Sequence, residues 1–188
     1  MSSLRLWDIA LVFLLIVSVV LNVLLGRRIN QLTTVENAVM VERQLKVGTQ
    51  VPVIQANDHT GQPHTIAFNQ EDKPTVLYVF TPPCKWCERN MDNIKELVAR
   101  KGHEFRFIGI SLGKEGLTDY VAKTGLMMPV YTDLSDETKK AYKMGGTPQT
   151  IVISPEGQVI QTWMGAYTGE QQNRVEEFFG VTLPGITP

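Results

Sequence analysis

The chain has two cysteines, Cys84 and Cys87, with only Lys85 and Trp86 between them. Two thiols at that spacing can close one disulfide and run a dithiol cycle. They are too few for a four-cysteine zinc site or a multi-disulfide scaffold. A zinc or iron–sulfur centre would need ligands from His59, His64 and His103, and none of these is spaced near the cysteines. A copper carrier would need a histidine late in the chain, and none follows His103. The expectation is therefore redox chemistry with no metal and no cofactor beyond the dithiol itself. The competing reading is a structural or coincidental pair.

The flanking residues say how the thiols are held. Thr75–Phe80, TVLYVF, is a continuous apolar run, as in a strand buried on both faces. Thr81, Pro82 and Pro83 end it, because proline cannot continue a central strand. From Cys87 the apolar positions Met91, Ile94 and Val98 follow at helical spacing, so the pattern predicts a helix running to Gly102. Cys84 thus falls where strand gives way to helix. Free N–H groups and the positive end of the helix dipole favour a thiolate there. Lys85 adds a nearby cation as an auxiliary. Cys84 is expected to attack a substrate disulfide, and Cys87, one turn on and facing the core, to resolve the mixed disulfide.

The elements on either side complete an α/β pattern. Val53–Ala56 and His64–Phe68 flank a turn-rich segment and read as a hairpin. Phe105–Ile110 is a second buried strand, Leu117, Tyr120 and Val121 mark a short helix, and Met128–Tyr131 can be a strand. Asp136–Tyr142 reads as a helix with Asp136 near its cap. Gln149–Ser154 and Gln158–Met164 flank Pro155-Glu156-Gly157, a hairpin signal, and Val175, Phe178 and Phe179 give a final helix its apolar face. Strands alternating with helices imply a central mixed sheet flanked by helices. Met127 and Met128, just before Pro129, are assigned to core packing, with the lining of a substrate groove near the thiols as the alternative.

Ile9–Leu25 is apolar apart from Ser18 and Asn22, with Trp7 before it and Arg27 and Arg28 after it. A bilayer-spanning helix needs about 17–25 such residues. A cleaved signal would show a shorter apolar core and a small-x-small cleavage site. The expected organisation is a transmembrane anchor over 1–28, a stalk or linker over 29–46 and one α/β domain over 47–188. Arg5 and the terminal amine precede the span and two arginines follow it, so counting Lys and Arg alone leans toward a cytoplasmic C-terminal domain. Long domains can cross regardless of such a bias.

The length of 188 residues suits one domain plus these extras. With 18 basic against 19 acidic side chains the formal charge is −1, which offers no basic footprint for nucleic acid. A hydrophobic fraction of 43% argues against disorder.

The chain resembles the thioredoxin superfamily, specifically membrane-anchored TlpA/ResA-like and MauD-like thiol–disulfide oxidoreductases. The resemblance rests on VPVIQANDHTGQPHTIAF, on KPTVLYVFTPPCKWC and on MPVYTDLSDETKKAYKMGGTPQTIVISPEGQVIQTWMG. It implies a thioredoxin-like fold behind an N-terminal transmembrane helix. It implies an attacking Cys84, a resolving Cys87 and a cis-proline loop at Thr147-Pro148 that contacts substrate together with Trp86. It further implies a protein disulfide substrate, a membrane or soluble thiol–disulfide electron donor, and a role in maturing cytochrome c or another redox enzyme. The setting it implies is a single-pass anchor in a bacterial inner membrane, with the domain in the periplasm or outside the cell. Two places depart from the family. Pro83 and Trp86 stand where thioredoxins carry Trp and Pro. Tyr78 stands where thioredoxin has a buried proton-handling Asp, and a phenol with an ordinary pKa near 10 is no base at neutral pH, so another group, Glu88 or a water, is expected to accept the Cys87 proton.

Two other functions compete. Thr81-Pro82-Pro83-Cys84 matches the T-x-x-C part of a peroxiredoxin site, in which Thr81 would orient peroxide, although Leu77 stands where that family has Pro. A non-catalytic membrane scaffold with the same fold is the other.

Overall fold

The computed structural model describes residues 6–186, and within its first helix the side chains of residues 6, 8, 9 and 32–43 lie outside the description. Arg5 and the terminal amine, used above for orientation, also lie outside the described residues. The chain divides into two units, Met1–Glu42 and Arg43–Pro188.

The first unit is helical. Helix α1 spans Leu6–Arg43, with no break between the apolar stretch and the segment that follows it. Within it Ala10–Gln31 has a mean hydropathy of 2.4 over 22 residues. At 1.5 Å per residue this is about 33 Å, enough for a hydrocarbon core of about 30 Å.

The second unit is built on one seven-stranded sheet in the order β2-β1-β5-β4-β3-β6-β7. Its strands are β1 (Ile54–Asp58), β2 (Pro63–Ile66), β3 (Thr75–Phe80), β4 (Arg106–Ser111), β5 (Val130–Thr132), β6 (Gln149–Ile153) and β7 (Val159–Met164). β3, β4 and β5 run parallel, and every other pairing is antiparallel. Helices α2 (Lys85–Arg89), α3 (Met91–Lys101), α4 (Leu117–Thr124), α5 (Asp136–Ala141) and α6 (Gly169–Phe179) connect and cover it.

β3 positions everything else. All six of its residues are buried. Its side chains alternate between two cores, as strand geometry requires. Val76, Tyr78 and Phe80 pack with Ile94 and Leu97 of α3, Tyr120 of α4 and Phe179 of α6. Leu77 and Val79 pack on the opposite face with Leu134, Tyr142 and Met144 around α5. Gly109 of β4 lies on the first face, where a Cβ would come within 3.3 Å of the Phe80 ring and 3.0 Å of Val130. A side chain at that position would therefore press on Phe80 and Val130, which would have to give by a few tenths of an ångström.

The helix expected to run unbroken from Cys87 is interrupted at Asn90, the C-cap of α2 and the N-cap of α3. Asp136 is the first residue of α5, next to the cap Ser135, whose hydroxyl accepts from the Thr138 N–H at 3.1 Å. Met128 is in the core as assigned, whereas Met127 is 75% exposed.

The β1–β2 turn is organised by one carboxylate. Asp58 Oδ1 accepts from the Thr60 hydroxyl at 2.6 Å, the Thr60 N–H at 2.8 Å and the Gln62 N–H at 3.0 Å. Its other oxygen lies 3.0 Å from His64 Nε2. These donors, the Thr60 hydroxyl foremost, hold the Asp58 carboxyl well below its usual range. A depressed folded pKa contributes stability above the unfolded value, near 4, and loses it as the pH falls through the folded value. Asp58→Ala should therefore lower the melting temperature of the detergent-solubilised chain by a constant amount between pH 7 and about pH 5. The gap to wild type should narrow on further acidification, as thermal melts at stepped pH will record.

Candidate functional site

Where β3 ends, Thr81 turns the chain and its carbonyl accepts from the Cys84 N–H at 3.1 Å. Cys84 caps α2 with extended backbone angles, φ −76° and ψ 106°. Its sulfur accepts from the Cys87 N–H at 3.1 Å, and its carbonyl accepts from the Glu88 N–H at 3.0 Å. The two cysteines are joined as a disulfide with Cα atoms 5.2 Å apart. Their environments differ: Cys84 is half-buried, whereas Cys87 is completely buried. An incoming nucleophile or electrophile can reach only Cys84. An N–H aimed at sulfur favours its anionic form.

A loop remote in sequence closes the other side. The Thr147-Pro148 peptide bond is cis. The Thr147 carbonyl oxygen lies 3.6 Å from Cys84 Sγ, and the Thr147 hydroxyl lies 3.2 Å from the Thr81 hydroxyl. The Pro148 carbonyl accepts from the Gly165 N–H at 2.7 Å, which joins this loop to the end of β7. A groove of about 290 Å³ opens here, lined by Trp86, Thr147, Pro148, Met164, Gly165 and Gln171 among others. Trp86 is 53% exposed, and the Arg89 guanidinium sits 5.2 Å from its ring centroid. Lys85 is exposed on the first turn of α2.

The structure thus brings Thr81, Cys84, Cys87, Thr147, Pro148 and Trp86 together. Met164, Gly165 and Gln171 were not singled out from sequence. Met164 ends β7, Gly165 follows it and Gln171 is on α6, and nothing in their types or spacing marks a groove. Asn90 was missed as well, although a polar residue three positions after Cys87 on an apolar helix face was a usable signal.

The interior beneath Cys87 is polar but carries no carboxylate. The Tyr78 hydroxyl donates to the Cys87 carbonyl at 3.4 Å. Asn90 Oδ1 accepts from the Tyr167 N–H and from Asn93 Nδ2, both at 3.0 Å. The Tyr167 hydroxyl lies 2.6 Å from the Thr150 hydroxyl. Burial pushes the Tyr78 pKa well above its usual value, and neighbouring Tyr167 and Tyr120 add to the rise. Burial likewise pushes Tyr120 up to about 12, with the Glu88 carboxylate adding to it. Glu88 is an exposed carboxylate, and its hydrogen bond from Lys123 at 2.8 Å holds its carboxyl below the usual range. Among the described residues, no buried polar side chain is a carboxylate, an imidazole or an amine. No group of three or more His, Cys, Asp or Glu among them could hold a metal ion.

A family model described as the AhpC/TSA family matches residues 47–162. The thiol-disulfide oxidoreductase ResA of Geobacillus kaustophilus is 28% identical over 131 residues, 68% of this chain and 75% of that protein. The ResA of Bacillus subtilis is 22% identical over 158 residues, 82% of this chain and 86% of that protein. Among solved structures, a putative thiol:disulfide interchange protein DsbE from Chlorobium tepidum superposes with a TM-score of 0.62 at 16% identity. It covers 73% of this chain and 98% of its own. StoA from Bacillus subtilis superposes with a TM-score of 0.53 at 17% identity, over 65% and 95%. At these identities the structural matches speak for the fold, which is thioredoxin-like.

Two outcomes follow from the buried polar cluster. Tyr78 stays protonated across the working range, so Tyr78→Phe should leave the pH profile of dithiol oxidation by an aromatic disulfide unchanged. A displaced profile would make the phenol a participating base. Tyr167→Phe strands the buried Thr150 hydroxyl, which should cost about 1–3 kcal/mol in chemical denaturation.

Proposed function

The chain belongs to the AhpC/TSA family, and from that premise we propose that it is a membrane-anchored thiol–disulfide oxidoreductase working through Cys84 and Cys87. The observation that carries this reading is the asymmetry of the pair, an accessible sulfur at a helix cap bonded to a buried one on the next turn. Relatives named as thiol-disulfide oxidoreductases, aligned over most of their own length, support it.

In the reducing direction the Cys84 thiolate attacks one sulfur of a substrate disulfide. The substrate S–S bond breaks, its second sulfur leaves as thiolate, and a mixed disulfide forms at Cys84. Cys87 then loses its proton and attacks Cys84 Sγ, releasing the remaining substrate thiol. Two electrons have passed to the substrate, and the protein is left as the Cys84–Cys87 disulfide. With no buried carboxylate beside Cys87 among the described residues, solvent water or the departing thiolate takes its proton. Thr147, Pro148 and Trp86 border the path along which the substrate chain would lie, and Lys85 adds positive charge beside the attacking sulfur.

The finer assignments are part of the same proposal. The substrate is a disulfide-bearing protein outside the cytoplasm, and a membrane or soluble thiol–disulfide donor restores the dithiol. The anchor is a single pass in a bacterial inner membrane, with the domain in the periplasm or outside the cell. Maturation of cytochrome c, or of another redox enzyme, is the expected setting. The peroxidase alternative would have the Thr81 hydroxyl orient peroxide, and in this structure that hydroxyl is engaged by Thr147.

The test uses the reduced full chain in detergent with a disulfide-bonded model peptide. Cys84→Ser should reduce exchange to background, and Cys87→Ser should accumulate a Cys84–peptide mixed disulfide. Wild-type-like exchange by both variants would sink the reading. Rapid peroxide consumption without peptide exchange would transfer the site to the peroxidase alternative.

A further inference from the structure

Cys84 Sγ lies between one donor and one acceptor of opposite effect. The Cys87 N–H, 3.1 Å away, stabilises a thiolate. The Thr147 carbonyl oxygen, 3.6 Å from the sulfur in the disulfide form, opposes it once the bond is reduced, because it accepts a thiol proton and repels an anion. The donor belongs to the same helical turn as Cys84 and is fixed by local geometry. The acceptor comes from a loop 63 positions away in sequence, so something else must set its distance.

Thr81 is placed to do this. Its carbonyl holds the Cys84 N–H at 3.1 Å, and its hydroxyl holds the Thr147 hydroxyl at 3.2 Å. One residue therefore grips the attacking cysteine through its backbone and the opposing loop through its side chain. We propose that the Thr81–Thr147 hydroxyl pair is a latch that holds the Thr147 carbonyl against Cys84 and so sets the nucleophilicity of that thiol. Thr81 is in this role a positioning residue, which acts on sulfur through Thr147. The proposal rests on Cys84 being the attacking thiol, and it assigns Thr81 a different role from orienting peroxide.

The other charged groups about the site remain in place when the latch is opened. Lys85, Cys87, Glu88 and Arg89 are on or beside the turn that carries Cys84, and Lys123 of α4 reaches it through Glu88. The Gly145–Pro148 loop and the groove residues Met164, Gly165 and Gln171 contribute no titratable side chain.

The experiment follows alkylation of Cys84 by iodoacetamide against pH in the reduced full chain in detergent. Because buried Cys87 reacts slowly, the early phase reads Cys84. Thr81→Val should free the Thr147 carbonyl and shift the profile to lower pH, raising the rate below the wild-type midpoint about three- to tenfold. Thr81→Ser keeps the hydroxyl and should follow wild type. Thr147→Val should reproduce Thr81→Val, and the double variant should shift no further than either single one. If Thr81→Val fails to fold in a thermal melt, Thr147→Val opens the same latch from the other side. A Thr81→Val (or, in its place, Thr147→Val) profile that superposes on wild type would overturn the proposal, as would a double variant that adds the single shifts. An unchanged profile with lost peroxide consumption would overturn it too and return Thr81 to peroxide. The readout uses no protein substrate, so these outcomes are separate from failure of disulfide exchange in Cys84→Ser.

Discussion

β3 has no free side. Its edges are bonded to β4 and β6, and both of its faces are covered by side chains from helices and neighbouring strands. A strand held this way cannot slip by one residue without turning Tyr78 and Phe80 into the wrong core and Leu77 and Val79 into the other. The residue after its last hydrogen-bonded position is therefore fixed in space. That residue is Thr81, and the turn from Thr81 to Cys84 inherits the rigidity of the strand.

The same strand also brings the second half of the site into place. β6 pairs with β3 from Gln149 opposite Val79 to Ile153 opposite Thr75. The loop just before β6 therefore arrives beside the turn just after β3. This antiparallel register brings the Thr147-Pro148 loop to the end of β3, within reach of Thr81 and Cys84. β7, paired with β6, then brings Met164 and Gly165 to the rim of the groove.

Below the disulfide the protein uses neutral polar groups. Phenols, hydroxyls and amides satisfy much of the interior around Tyr78, Asn90, Thr150 and Tyr167 without a buried charge. A buried carboxylate would have to pay a desolvation cost that these groups avoid. Close to Cys84 Sγ stand two backbone groups, the Cys87 N–H at 3.1 Å and the Thr147 carbonyl at 3.6 Å.

Much of this was legible in the chain itself. Apolar β-branched and aromatic residues from Thr75 to Phe80, followed by two prolines, predict a buried strand with the observed ends, and the C-x-x-C that follows predicts an accessible sulfur beside a buried one. These are local properties, set by side-chain periodicity, by the missing N–H of proline and by one turn of helix. The polar Asn90 was visible in the sequence, but its partner was not, because the Tyr167 N–H that it accepts from lies 77 positions away. The Thr81–Thr147 contact spans 66 positions, and the groove combines residues of α2, the loop before β6 and the end of β7. The sequence alone determined that there is a dithiol at the end of a buried strand. Only the tertiary structure decided what faces each sulfur, because that depends on the register in which β6 and β7 pack beside β3.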